Sequence, residues 1–257
     1  MIPIKSNEEI RQMREAGQIA AAILNRMAAE TGPGVNTYDL DQLGRQLMEE
    51  YGVRSACYGH RLRHMSQAFP AYTCLSVNEE IVHGIASLRK VLRPGDIIAI
   101  DVAVFHRDYI GDNAMTVGIG PLEPEVELLV RATEEALYQA IAQARPGKRV
   151  GDISHTVQKY AEDRGFSVVR DYVGHGVGRS MHEEPQIPNF GRRRKGDKLQ
   201  PGMTLAIEPM INLGGSEVEI AGDGWTARAR DGKPSAHFEH TVLVTLDQPE
   251  ILTIWKK

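Results

Sequence analysis

Between residues 7 and 30 the apolar positions Ile10, Met13, Ile19, Ile23 and Met27 follow helical spacing. Ser6 followed by Glu9 fits a capping box at the start of this stretch. Gly32-Pro33-Gly34 ends it, and a second helix is predicted from about Thr37 to Tyr51. The pattern then turns strand-like near 72–82, 96–105 and 108–119. A helix is predicted over 124–145, a break at Pro146-Gly147, and a helix over about 150–164. Strands follow near 166–173, 203–213, 225–230 and 236–246.

The order of elements therefore starts twice, and the residues repeat with it. Pro33-Gly34, Asp39, Leu40 and Gly52 recur 113 residues later as Pro146-Gly147, Asp152, Ile153 and Gly165. "LRPGDIIAIDVA" at 92–103 recurs 107 residues later as "LQPGMTLAIEPM" at 199–210. "VHGI" around His83 is echoed by "GHGV" around His175. These matches point to an internal duplication with halves of about 1–120 and 121–257. The expected architecture is a single α+β domain spanning 1–257, its strands joined in one antiparallel sheet flanked by helices. A site is expected on the inner face, near the axis relating the halves.

Composition narrows the class. The chain has 257 residues, is 42% hydrophobic and 25% charged, and carries a net charge of −4. Those are values of a globular protein, with no global field to recruit nucleic acid. The two cysteines, Cys57 and Cys74, read as free thiols. The start "MIPIKSNEEI" lacks an apolar signal core, and no apolar run approaches the roughly 20 residues of a membrane span. A cytoplasmic protein is expected, with no membrane partner.

Acids inside apolar strands are the informative feature. Asp101 ends "IIAID" and Glu208 ends "TLAIE". Asp112 stands in "YIGDNAMTV", Glu239 in "AHFEHTVLV" and His175 in "YVGHGVG". A buried carboxylate must be paired or must bind metal. No Lys or Arg falls inside these phrases. Two divalent cations would neutralise the four acids. Oxygen ligands with one imidazole and no thiolate suit Mn, Fe, Co or Zn.

The series "SVNEEIVHGI", "AIDVAV", "GDNAMT", "GHGVGRSMHEEP", "IEPMI" and "EHTV" resembles the methionine aminopeptidases of the pita-bread fold, across nearly the whole chain. It looks like the bacterial type I branch, with only about 25 residues between His182 and Glu208. The resemblance implies a role for each matching position. Asp101 would chelate one metal, Asp112 and Glu239 would bridge two, and His175 and Glu208 would complete the other shell. His83 and His182 would stand beside the substrate as catalytic residues. Asn78 and Ser235 match positions that help hold a structural Na or K ion. The implied reaction removes the N-terminal methionine from nascent chains with a small second residue. A water held between the two cations would be the nucleophile, and Glu208 the proton shuttle.

The methionine pocket departs from the family pattern. Cys74, Trp225 and Phe69 match pocket positions, whereas Met181 stands where the family often has Phe. An apparent insertion, "HRLRHMSQ" at 60–67, occupies the place of an expected pocket tyrosine. Two other readings are an Xaa-Pro aminopeptidase or prolidase, and a non-enzymatic relative that keeps the fold. Substrate choice separates the first and metal content the second. The run Arg192, Arg193, Arg194, Lys195 is a local exception on an acidic chain. It belongs to a loop expected to be anchored near the catalytic centre, and two readings stand: a solvated loop, or a basic loop that docks on ribosomal RNA. A monomer is expected.

Overall fold

The computed structural model describes residues 2–61 and 67–254. In chain order the elements are α1 (Asn7–Ala29), α2 (Thr37–Glu50), β1 (Arg54–Ser55), β2 (Cys74–Val77), β3 (Glu80–Val82), β4 (Ile97–His106) and β5 (Tyr109–Gly118). There follow α3 (Pro124–Ile141), α4 (Val150–Glu162), β6 (Ser167–Val168), β7 (Val173–Gly176) and β8 (Glu183–Pro188). The chain closes with β9 (Thr204–Ile207), β10 (Met210–Asn212), β11 (Val218–Ile220), β12 (Ala227–Ala229), β13 (Ser235–His237), β14 (Glu239–Leu243) and β15 (Glu250–Ile251). The capping box forms as the sequence predicts: Glu9 N–H donates to Ser6 Oγ at 3.3 Å, and Ser6 N–H to the Glu9 carboxylate at 2.9 Å.

The main sheet has nine strands in the order β1-β4-β5-β14-β9-β7-β8, with β2 also on β4 and β15 on β14. Its strand pairs are antiparallel. The sheet runs unbroken from the first half to the second through β5 and β14, where Ala114 pairs with Glu239 and Asn113 with His240.

Strand parity sorts the two faces. In β4, Ile98, Ile100, Val102 and Val104 are fully buried against Ile23, Leu24 and Met27 of α1 and Leu40 and Leu47 of α2. On the C-terminal side, Leu205, Ile207 and Val242 pack on Leu129 and Leu137 of α3 and on Ile153 and Val157 of α4. Burying each such side chain contributes roughly 1.5–3 kcal/mol. The helices therefore cover one face of the sheet. The alternate residues, Asp101 and Ala103 among them, face the other side.

The predicted strands hold in place but are shorter than the sequence pattern implied. The stretch 203–213 is split by Glu208-Pro209 into β9 and β10, because proline offers no N–H to continue a ladder. β10 joins a separate three-stranded sheet, β13-β10-β6. The stretches 72–82, 166–173 and 236–246 likewise divide, and the helix over 124–145 ends at Ile141.

Candidate metal centre and substrate pocket

Cross-strand register brings the acids together. Asp101 of β4 lies opposite Ala114 of β5, and Ala114 lies opposite Glu239 of β14, so the three form one row across the sheet. Residues directly opposite share a face. Asp112, opposite Ala103, falls on that same face. Thr241, two residues after Glu239, and His175 both pair with Ala206, which stands two residues before Glu208. Ligand atoms of Asp112, His175 and Glu239 all lie within 4.8 Å of one another. Asp101 and Glu208 line the same cavity of about 420 Å³.

His175 is set by its neighbours. A Cβ at position 174 would lie 2.5 Å from the Ala206 carbonyl oxygen, and one at 176 would lie 2.2 Å from that of Glu184. Only glycine allows β7, β8 and β9 to close around the imidazole. Nδ1 lies 3.0 Å from the Gly176 carbonyl oxygen, which can only accept, so Nδ1 carries the proton. Nε2 is left with its lone pair, 3.3 Å from Glu208 Oε1.

The electrostatics show what the cluster lacks. Burial raises Asp112, Glu208 and Glu239 well above the ordinary carboxylate range, and neighbouring acids raise Asp112 and Glu239 further. Asp101 is pushed up to about 6, chiefly by burial. His175 is pushed down to about 3 by burial and by His182, so it stays neutral. Glu239 Oε1 is buried without a hydrogen-bond partner. Four acids that resist ionisation, an orphaned carboxylate oxygen and a free imidazole lone pair together fit divalent cations.

The other predicted positions surround this floor. His83 lines the cavity in a left-handed backbone conformation, φ 59°, which non-glycine residues adopt at a cost. Burial first, and then the facing His182, His237 and His60, push it down to about 4. The His182 ring centroid is 4.5 Å from that of His175. Phe69, Cys74, Met181 and Trp225 all line the cavity. Phe69 and Trp225 meet edge to face at 5.3 Å. Asn78 and Ser235 meet away from this floor, where Ser235 N–H donates to the Asn78 carbonyl at 2.9 Å. Of the insertion at 60–67, residues 62–66 lie outside the described residues.

Among the lining residues to which the sequence reading gave no role are His60, Tyr172 and His237. His60 stands edge-on to His182 at 5.8 Å, and Tyr172 edge-on to His83 at 5.3 Å. Both head stretches singled out above, His60 in "HRLRHMSQ" and Tyr172 in "YVGHGVG", but nothing in either stretch marks these side chains as facing the cavity. His237 did: it stands two residues before Glu239 in "AHFEH". Its Nε2 lies 3.6 Å from Glu208 Oε2.

The run Arg192–Lys195 is exposed, and the structure anchors it on the helix layer. Gly151 N–H of α4 donates to the Lys195 carbonyl at 2.9 Å, and Arg194 N–H to Asp152 Oδ1 at 3.1 Å. None of the four lines the cavity. That corrects the expected anchorage near the catalytic centre: sequence proximity to His182 does not carry over, because the chain crosses back to α4 first.

The model of metallopeptidase family M24 matches residues 11–246. A methionine aminopeptidase of Aquifex aeolicus is 43% identical over 254 residues, 98% of each chain. Methionine aminopeptidase 1 of Bacillus subtilis is 44% identical over 253 residues, covering 98% of this chain and 99% of the relative. The crystal structure of a methionine aminopeptidase from Thermotoga maritima matches with a TM-score of 0.94 at 43% identity, over 98% of this chain and 99% of that one. A prolidase from Pyrococcus horikoshii, 21% identical with a TM-score of 0.78, shares the fold. The architecture is the pita-bread fold, and the chain belongs to metallopeptidase family M24, within it to the methionine aminopeptidases.

Proposed function

We propose that this chain removes the N-terminal methionine from new polypeptides whose second residue is small. One observation carries the reading: the cluster of Asp112, His175 and Glu239 forms the floor of a cavity walled by Phe69, Cys74, Met181 and Trp225. Such walls suit a flexible thioether chain. Asp101, Asp112, His175, Glu208 and Glu239 would hold two divalent ions, drawn from cobalt, manganese, iron and zinc. Bound there, such ions acidify water and polarise a carbonyl.

The chain's own groups supply the rest. Glu208 takes a proton from the attacking water and passes it to the leaving amine. Being at the strand break, it faces the cavity from a point where the ladder has ended. His182 donates a hydrogen bond to the scissile carbonyl oxygen as charge builds on it. His83 holds the substrate around the scissile amide. With the acids forming the floor, only the first peptide bond reaches them.

Asn78 and Ser235 would help seat a structural sodium or potassium ion. The protein would act as a monomer. A cytoplasmic location would bring the protein to nascent chains as they emerge. Arg192, Arg193, Arg194 and Lys195 are exposed and make no ion pair among the described residues, which supports docking on ribosomal RNA phosphates. Comparison of Met-Ala-Ser with Ala-Pro-Ala in the presence of Mn²⁺ tests the central reading. Release of methionine from the first and no cleavage of the second is expected. The reverse preference would make the protein an Xaa-Pro peptidase, and cleavage of neither would make it a non-enzymatic relative.

A further inference from the structure

His182 is not carried by the sheet. It sits on a bend, residues 178–182, between the end of β7 and the start of β8. Within that bend Gly178 N–H donates to the Ser180 carbonyl at 3.2 Å. Two further backbone donors close on one carboxylate oxygen: Arg179 N–H and Ser180 N–H reach Glu183 Oε1 at 2.9 and 3.3 Å. The second oxygen of Glu183 belongs to Lys5, whose Nζ lies 2.5 Å from Oε2. The pair is withdrawn from water, with side-chain exposures of 5% and 13%. Lys5 is itself fixed through its N–H, which donates to the Gly202 carbonyl at 2.8 Å. The bend passes so near that a Cβ at Gly178 would lie 2.7 Å from the Lys5 Nζ. On its outer side Arg179 stacks over Tyr109 at 4.6 Å.

We infer that Lys5 and Glu183 are positioning residues for His182: the buried ion pair locks the bend that presents the imidazole to the substrate. The physical reason lies in the link that each oxygen makes. An exposed pair would contribute little and would be screened. A buried pair has one low-energy geometry, because either charge left alone is costly. Locking Oε2 on Lys5 therefore fixes Oε1, and Oε1 fixes the two N–H groups that shape the bend. His182 follows directly, one residue before Glu183. Neither Lys5 nor Glu183 lines the cavity, so neither touches the substrate.

The inference rests on the proposed aminopeptidase reading, and a double-mutant cycle separates the two. Lys5→Met and Glu183→Gln are each made in the wild-type and in the His182→Ala protein. Methionine release from Met-Ala-Ser is then measured with Mn²⁺ saturating. In the wild-type background each should lower kcat by about 10- to 100-fold with KM little changed, the cost of a misplaced catalytic group. In the His182→Ala background the same substitutions should cost almost nothing, because the group they position is gone. Mn²⁺ titration of each variant should show unchanged stoichiometry and affinity. If Lys5→Met does not fold, Glu183→Gln, which is nearly isosteric, carries the test alone. An equal fractional loss in both backgrounds, or a loss confined to KM, overturns the positioning role. No methionine release by the wild type would instead sink the activity on which it rests.

Discussion

In the N-terminal half, Thr37 N–H donates to the Lys90 carbonyl and Leu92 N–H to that of Val35, each at 2.9 Å. In the C-terminal half, Val150 donates to Asp197 and Leu199 to Lys148, each at 3.0 Å. The partners stand 113 and 107 residues further on, the offsets seen in the sequence. Gly95 and Gly202 take the same left-handed turn, with φ of 95° and 90°. The halves thus enter their acid-bearing strands alike, but they leave them differently. β4 runs on past Asp101 to His106 in an unbroken ladder of ten registered pairs with β5. β9 stops at Ile207, and Glu208 is followed by a proline. One repeat keeps its acid inside the continuous sheet, where under the proposed function it would hold a cation in place. The other frees its acid at a strand end, 3.3 Å from His175 and 3.6 Å from His237, where a carboxylate can carry a proton.

The largest test of this contrast removes the part the halves share. Chelation should abolish turnover, and Mn²⁺, Co²⁺ or Fe²⁺ should restore it. Asp112→Asn and Glu239→Gln, one from each half and both central, should each remove activity while leaving the helical circular-dichroism signal intact. Full activity in rigorously metal-free protein, or in either variant, would break the comparison.

Next in size is His182→Ala, which should lower kcat by about 10²-fold or more, as losing a donor to a developing oxyanion does. A change in KM alone would mean that His182 binds substrate and transition state equally.

A smaller effect concerns pH. Burial holds all four carboxylates above their ordinary range, Asp101 at about 6 and the others in the same direction. A raised carboxylate keeps its proton to higher pH, and a cation must displace that proton to bind. Mn²⁺ affinity should therefore rise with pH through the region of 6, with protons released on binding. His175 is neutral throughout that range and should contribute none. Calorimetry in two buffers of different ionisation enthalpy counts the protons. Affinity independent of pH would show the acids already ionised.

The smallest effect on turnover is expected from the basic loop. Changing Arg192, Arg193, Arg194 and Lys195 to Glu should leave tripeptide cleavage nearly intact, since the loop rides on α4 and not on the cavity. Cosedimentation with ribosomes should fall, and wild-type binding should weaken steeply with salt. Equal cosedimentation of mutant and wild type would remove the docking role.

The sequence showed most of this site for one physical reason. An acid in a strand such as "IIAID" is costly unless something neutralises it, and parity puts each such acid on the face opposite the apolar majority. What stayed hidden came from contacts between distant segments. β8 reads "EEPQIP", too polar and too rich in proline to be taken for a strand, and it forms because β7 offers it an edge. His60 and Tyr172 reach the cavity from outside the regular elements, although the pattern had placed Tyr172 in a strand over 166–173. The break after Glu208 was written plainly as Pro209, yet the apolar run through Ile211 masked it.

Gly174 and Gly176 carry a last consequence, for how such a protein can change. Every single-nucleotide substitution of a glycine codon that yields another residue adds a Cβ. At 174 that carbon meets the Ala206 carbonyl, and at 176 it meets the Glu184 carbonyl. There is no mild first step at either codon, so the surroundings of His175 are closed to gradual drift. Laboratory evolution toward a different first residue has to travel through the walls instead, at Phe69, Cys74, Met181 and Trp225, where side chains meet space rather than backbone.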